Sequence, residues 1–426
     1  MFEIINKLSQ LKHWQSNHQL ESSSINMDTF NIVSDIQKQI IANKDAALKA
    51  FTQQFDNVDI ENIQVTHTEI KSAYNHVDQN YINALKSAAK NIDGYHQKQV
   101  PNDWEDSTPN RIYGVQHTAL ESVGLYVPGG RAAYPSSVLM SAIPAKIAGC
   151  ERIVMVSPPT GGDIPPAVLV AADIAGITEV YRVGGAQAVF ALAHGTQSIQ
   201  AVDKIVGPGN KYVTAAKQMV YGRVDIDKPA GPSEVCVAID SIDYAAYAAA
   251  ECLAQLEHDP DASAIVITTS NDIAAAVNHH ATEQLKTLKR QDIINQSKQH
   301  AVIVVVDSED ELLQSINQAA SEHLVLLVSE PNILRSQVRH AGSIFCGPYS
   351  PVSLGDYYAG PNHVLPTARS ARFASPLGVM DFMKYSSYLE YSKQALKNAQ
   401  SDIQALTLAE GFDAHYQAVA VRFNNG

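Results

Sequence analysis

Arg152-Ile153-Val154-Met155-Val156 is a short β-branched run, and the pattern that follows it decides the fold. An Ala-rich stretch, 166–175, reads as a helix, and Glu179-Val180-Tyr181-Arg182-Val183 reads as the next strand. A helix over 186–193, a strand at Lys204-Ile205-Val206 and a helix over 210–220 continue the pattern. It resumes with a strand over 234–239, a helix over 244–257, and strands over 264–268, 302–306, 324–328 and 343–346. Alternating helices and continuously apolar strands indicate parallel sheets covered on both faces. The strands suffice for two such sheets, one within about 120–236 and one within about 237–350.

Outward from this centre the texture changes. Residues 1–110 read as mostly helical and polar, with Ile32, Ile36, Ile40 and Ile41 at helical spacing, then Ile82, Leu85, Ala88 and Ala89. Residues 102–110 read as a polar loop, and past Pro376 the chain reads as helical again, ending in a tail over 401–423. The expected class is α/β, with two Rossmann-like parallel-sheet domains and helical N-terminal and C-terminal extensions. The expected division is an extension over 1–24, a first α/β domain over 25–124 and 237–376, a second over 125–236, and a tail over 377–426.

A chain of 426 residues exceeds one ordinary core. Apolar residues make up 45% and charged residues 18%, a globular balance. The net charge of −13 and the lack of a basic run argue against nucleic acid as a partner. No apolar run is long enough to span a bilayer, and the N-terminus has no secretory signal. Cys150, Cys236, Cys252 and Cys346 are widely spaced, which points to reduced, mostly buried thiols in a cytoplasmic protein.

Three Gly-rich turns follow strand candidates: Val127-Pro128-Gly129-Gly130, Val183-Gly184-Gly185-Ala186-Gln187 and Gly207-Pro208-Gly209-Asn210-Lys211. Small residues let a ligand approach the backbone, and the following helix offers N–H groups to an anion. One such turn alone reads more readily as a tight connection; three in one domain shift the balance toward a nucleotide cofactor, although G-x-G-x-x-G is missing.

Gln255-Leu256-Glu257-His258 sets Gln and His three apart on an Ala-rich helix, so both face one way. Gly355-Asp356-Tyr357, with Asn362-His363 beyond it, has a loop composition able to bring Asp and His close to a ligand. Gln255, His258, Asp356 and His415 would make a two-His, two-oxygen set suited to a zinc with an open position. Each taken singly also reads as an ordinary surface or turn residue. Glu322-His323, at the edge of an apolar strand, offers two proton acceptors of different natural pKa. Neighbours in extended chain point apart, so both reach one site only if the backbone turns there.

These stretches, with Gly124-Leu125-Tyr126, Pro229-Ala230-Gly231-Pro232-Ser233-Glu234, Glu410 and Ala414-His415, resemble the histidinol dehydrogenase family from about Gly124 onward. The resemblance implies oxidation of L-histidinol to L-histidine through the aldehyde, with NAD and one Zn2+ per subunit. It puts zinc on Gln255, His258, Asp356 and His415, and NAD beside Tyr126, Gln187 and Asn210. Ser233, His323, His363 and Glu410, besides the metal ligands, would contact substrate, and Glu322 with His323 would be the acid–base pair. It implies a homodimer whose C-terminal tail completes the partner's site. Ser321 stands where the family has Pro, and Val352 where it has Glu. A zinc hydrolase of a small amide is the alternative, lacking both H-E-x-x-H and a use for the Gly-rich turns.

Overall fold

The computed structural model describes residues 1–22, 27–129, 134–177, 179–229 and 231–423. Gly130 and Ala230, named above within their motifs, lie outside the described residues. The strands are Glu3–Asn6 (β1), Gln64–Val65 (β2), Trp104–Thr108 (β3), Arg111–Ala119 (β4), Ser122–Tyr126 (β5), Arg152–Val156 (β6), Glu179–Tyr181 (β7) and Lys204–Val206 (β8). Then come Asp225–Ile226 (β9), Glu234–Ile239 (β10), Ser263–Thr268 (β11), Ala301–Val305 (β12), His323–Leu327 (β13), Ser343–Cys346 (β14) and Met383–Tyr391 (β15). The chain divides into two units: Met1–Gln99 with Leu120–Phe382, and Val100–Ala119 with Met383–Gly426.

The first unit contains both expected sheets. One runs β1-β12-β11-β10-β13-β14 with parallel pairing throughout. The other runs β2-β7-β6-β5-β8-β9, parallel except for the short β2. The strand β10 shows why these runs carry no alternation. Val235, Val237 and Ile239 pack on one face with the Ala-rich helix Ala245–Leu256. Cys236 and Ala238 pack on the other, with Leu312 and Ile316. Both faces are core, so every position is apolar.

In each sheet the strand order reverses once. After β5, β6 and β7 step outward on one side, the chain returns to lay β8 on the other flank of β5. After β10, β11 and β12, it returns to lay β13 beside β10. Such reversals open crevices between the diverging loops.

The helical reading of the two ends needs correction. Glu3–Asn6 is an edge strand on β12, in register from Glu3↔Val302 to Asn6↔Val305. The polar loop over 102–110 contains β3, and the tail begins with the nine-residue β15. With β4 these form an antiparallel sheet in the second unit. Met383–Tyr391 is exposed along almost its whole length, so it has no apolar alternation to betray it. Its tyrosines do the work: the Tyr388 hydroxyl donates to Glu105 Oε2 at 3.0 Å, and its ring crosses Gly114, where a Cβ would lie 2.6 Å from the phenol oxygen.

Candidate functional site

The acid–base candidates sit where the chain enters β13. The helix Glu309–Ala319 ends at Ala320 in the left-handed region, φ 48°, and the chain reverses there. The backbone also bends at Glu322, the residue before β13, which lets the adjacent Glu and His serve one site, and both side chains are buried. Glu322 Oε2 accepts from the Glu234 backbone N–H at 2.9 Å and lies 3.6 Å from His323 Nδ1. His323 Nδ1 is also 3.1 Å from the Glu234 carbonyl oxygen. A carbonyl only accepts, so Nδ1 carries the proton and a neutral His323 keeps its lone pair on Nε2. That Nε2 is buried without a hydrogen-bond partner, 3.4 Å from Asp356 Oδ1 in ion-pair range. The Ser321 hydroxyl donates to the His323 carbonyl at 3.0 Å.

Burial, with Asp356 adding to it, raises the Glu322 carboxyl well above the ordinary carboxylate range, while His323 and the Glu234 N–H pull the other way. For His323, burial works against the charged ring, but Glu322 and Asp356 outweigh it and the net direction is up. Glu234, beside Glu322 at the start of β10, is pushed up to about 8, by burial first and by Glu322 second.

The metal candidates approach from two elements. Gln255 is 3% exposed in the last turn of Ala245–Leu256, and its Nε2 has no partner. His258 lies past the helix end rather than on it, in a turn where its backbone N–H donates to the Gln255 carbonyl at 3.2 Å. Asp356 belongs to a short helix, Val352–Tyr357, not to a loop. Burial pushes its carboxyl up, yet His323, His363 and His258 together hold it below the usual range. The charge of Asp356 therefore acts on three imidazoles at once. Its carbonyl accepts from His363 Nδ1 at 2.8 Å, and His363 Nε2 is 3.3 Å from the Ser137 hydroxyl. Asn362 is structural: its Nδ2 donates to the Met140 carbonyl at 2.6 Å and its Oδ1 accepts from Val364 N–H at 2.9 Å. Ser233 is half-buried at the amino end of β10, where its carbonyl accepts from Ser263.

Among the described residues no three His, Cys, Asp or Glu side chains cluster as a metal site. His258 and Asp356 are two such donors, and the third on this side is an amide. Buried Gln255 would serve such a metal through its Oε1, since the unpartnered Nε2 is a donor and not a ligand, and a further ligand would come from elsewhere. Glu410 and His415 lie on the second unit, both exposed, with the His415 ring 5.1 Å from that of Phe412.

The cofactor candidates line the reversal between β5 and β8. Tyr126 ends β5; its hydroxyl accepts from Gly185 N–H at 3.0 Å, and burial pushes it up to about 12. Gln187 is buried with Oε1 unpartnered. Asn210 caps the helix Lys211–Val220, its Oδ1 accepting from Tyr212 N–H at 3.0 Å and Val213 N–H at 3.2 Å. Only its Nδ2 remains to donate outward. A Cβ on Gly184 would stand 2.3 Å from Pro158, so this cradle needs glycine. The unpartnered amide oxygen and the bare backbone fit a dinucleotide.

Ser137, Glu234 and Glu251 escaped the sequence reading. Glu251, one turn before Gln255, accepts from Val352 N–H at 3.2 Å and so ties the Gln255 helix to the Asp356 helix. A charged residue at i−4 from a candidate ligand on an Ala-rich helix was the available signal for it. Ser137 opens the helix after the first Gly-rich turn, and Glu234 directly follows Ser233; neither position is distinctive in one sequence.

The histidinol dehydrogenase family model matches residues 19–423. A histidinol dehydrogenase of Bacillus cereus is 47% identical over 423 residues, covering 99% of this chain and 98% of its own. One from Caldanaerobacter subterraneus is 48% identical over 396 residues, covering 92% of each. The crystal structure of histidinol dehydrogenase from Elizabethkingia anophelis superposes with a TM-score of 0.94 at 35% identity, covering 99% of this chain and 98% of that one.

Proposed function

The chain belongs to the histidinol dehydrogenase family, and from that premise we propose how its own residues divide the work. The activity is oxidation of L-histidinol to L-histidine through L-histidinaldehyde in two NAD-dependent steps, with one zinc per subunit. The zinc hydrolase alternative has no support from any of these matches. When bound, NAD accepts hydride, and zinc supplies a cation that can hold the amine and imidazole of the substrate.

His323 takes the hydroxyl proton on Nε2. The observation that carries this reading is the fixed Nδ1–H, which leaves Nε2 as the basic atom, 3.4 Å from Asp356 Oδ1. Glu322, raised by burial, takes a proton from the water that adds to the aldehyde, giving the diol for the second oxidation. Gln255, His258 and Asp356 supply three zinc ligands and His415 a fourth. Ser233, His363 and Glu410 position the substrate, with Ser137 behind His363. Tyr126, Gln187 and Asn210 receive the cofactor, which gives the 125–236 domain to NAD and the domain of 25–124 and 237–376 to metal and acid–base chemistry.

His415 and Glu410 act in a second copy of the chain. Support comes from the tail's own poverty of core. The helix Lys393–Ala409 buries none of its side chains, Leu406 is 65% exposed, and Leu408, Phe412 and Val421 along the rest of the tail are exposed too. Exposed apolar faces of this kind are covered by a partner surface. Four free cysteines agree with a reducing, cytoplasmic setting, and among the described residues no helix is long and apolar enough to cross a membrane. Replacing His323 by Asn tests the central role: the loss must reside in the hydride-forming rate, with zinc content and NAD affinity kept.

A further inference from the structure

Lys217 and Asp227 form an ion pair whose side chains are each only 2% exposed. A charge at Lys217 breaks the rule of its helix, where Val213 and Val220 on the same face are core. The pair closes on one residue. Lys217 Nζ donates to the Gly207 carbonyl at 2.8 Å, and Asp227 Oδ2 accepts from the Gly207 N–H at 2.8 Å. Gly207 has φ 118°, and a Cβ there would sit 2.1 Å from the Tyr126 carbonyl oxygen. Both hydrogen-bonding groups of the residue that starts the Gly207–Asn210 turn are thus held by one buried pair, against the end of β5.

Two buried charges are a costly way to hold a fold together, since a well-packed apolar pair is often as stable or more so. What an apolar pair cannot do is grip an N–H and a carbonyl at once. We propose that Lys217 and Asp227 are positioning residues for the cofactor: they fix the peptides on both sides of Gly207 so that Asn210 and the first turn of Lys211–Val220 are set before NAD arrives. This rests on the assignment of NAD to the Asn210 turn. Pre-setting a binding loop removes ordering cost from the binding step, and its loss weakens affinity without touching a direct contact.

The test is NAD+ titration by calorimetry on the zinc-loaded full-length enzyme, together with Tm, zinc content and both KM values. The double variant Lys217→Met/Asp227→Leu removes both charges of the pair together and leaves the Gly207 N–H and carbonyl without their partners. It is expected to keep its zinc and its histidinol KM, and to bind NAD+ at least about ten-fold more weakly. Asn210→Asp keeps the helix cap and removes the amide donor, and it is expected to lose NAD+ affinity as well. Wild-type NAD+ affinity in the double variant, with affinity lost in Asn210→Asp, overturns the positioning role alone. Wild-type affinity in Asn210→Asp overturns the cofactor assignment and the proposal with it. Should the double variant fold poorly, Lys217→Met/Asp227→Asn decides, since it keeps an acceptor for Gly207 N–H, releases the Gly207 carbonyl and leaves neither partner charged: weaker NAD+ binding at unchanged histidinol KM supports the role, and unchanged NAD+ binding overturns it.

Discussion

Glu322→Gln separates the two half-reactions and reveals what holds His323 charged. Glu322 Oε2 lies 3.6 Å from His323 Nδ1, both side chains buried. Two full charges at that distance attract by roughly 4–5 kcal/mol at an effective dielectric of about 20, before the cost of burying them is set against it. Gln can still accept from the Glu234 N–H through its Oε1, so the local fold keeps its bond and only the charge is lost. Without that charge the His323 imidazolium is less favoured and its pKa moves down. A base must be unprotonated, so the acidic limb of kcat/KM for histidinol moves to lower pH. The aldehyde half loses its water-activating carboxylate and slows by about 10²–10⁴-fold. Stopped-flow NADH absorbance, with histidinol and with histidinaldehyde as separate substrates over a pH series, reads both effects. Equal slowing of the two halves, or a limb that moves to higher pH, refutes the division of labour.

His258→Asn removes a ligand from a site whose other donors on this chain are one carboxylate and one amide; metal analysis should find zinc lost in step with activity, and an active zinc-free variant would reject the ligand role. Mixing His415→Ala chains with Gln255→Ala chains should restore activity in heterodimers, because one of the two sites then draws both ligands from intact chains; no recovery argues for sites within one chain. Asp56 ends the long helix Met27–Asp56 with Oδ2 buried and unpartnered, and burial lifts its pKa to about 6. A carboxyl whose folded value exceeds its unfolded one destabilises as pH rises from about 4 to 6, and a carboxylate at a helix C-terminus adds to this. Asp56→Asn should therefore raise urea stability by about 1 kcal/mol at pH 8, discounted for partial exposure, and leave it unchanged below pH 4. An equal gain at both pH values refutes the titration. Phe190→Ala, at a fully buried ring between the helices of the second sheet, should cost about 3–5 kcal/mol.

The two parallel sheets were legible because burial on both faces leaves an unbroken apolar run, and β10 divides its residues between two cores as such a run must. The antiparallel sheet was not, because β15 is held by exposed tyrosines and backbone pairing, which leave no periodic apolar signal. His258, read at the end of a helix that Asp259-Pro260 stops, lies two residues beyond its last residue Leu256, since Glu257 is already the cap. The adjacency of Glu322 and His323 looked unfavourable in extended chain. A bend at Glu322, which nothing local in the sequence marks, resolves it.

The site residues come from opposite ends of their sheets, which explains why they scatter along the chain. In the second sheet the Gly-rich turns follow β5, β7 and β8, so the cofactor candidates stand at carboxyl ends, the usual place in open α/β sheets. In the first sheet Ser233 and Glu234 open β10, Glu322 and His323 open β13, and Gln255 and His258 lead toward β11, so these stand at amino ends. A carboxyl edge provides loops and helix N-termini that suit phosphates. An amino edge provides strand-start carbonyls, such as that of Glu234, that accept from an imidazole N–H and fix its tautomer. Hydride transfer needs both, an anion cradle and an oriented base, within reach of one carbon. The Ser137–His363 contact is where the two edges meet: Ser137 heads the helix that follows the first Gly-rich turn, and His363 hangs from the Asp356 carbonyl. Ser137→Ala should accordingly leave zinc and NAD affinities alone while lowering kcat, because it loosens the registry between the edges and removes no ligand. A variant with wild-type kcat would mean that the registry is set elsewhere.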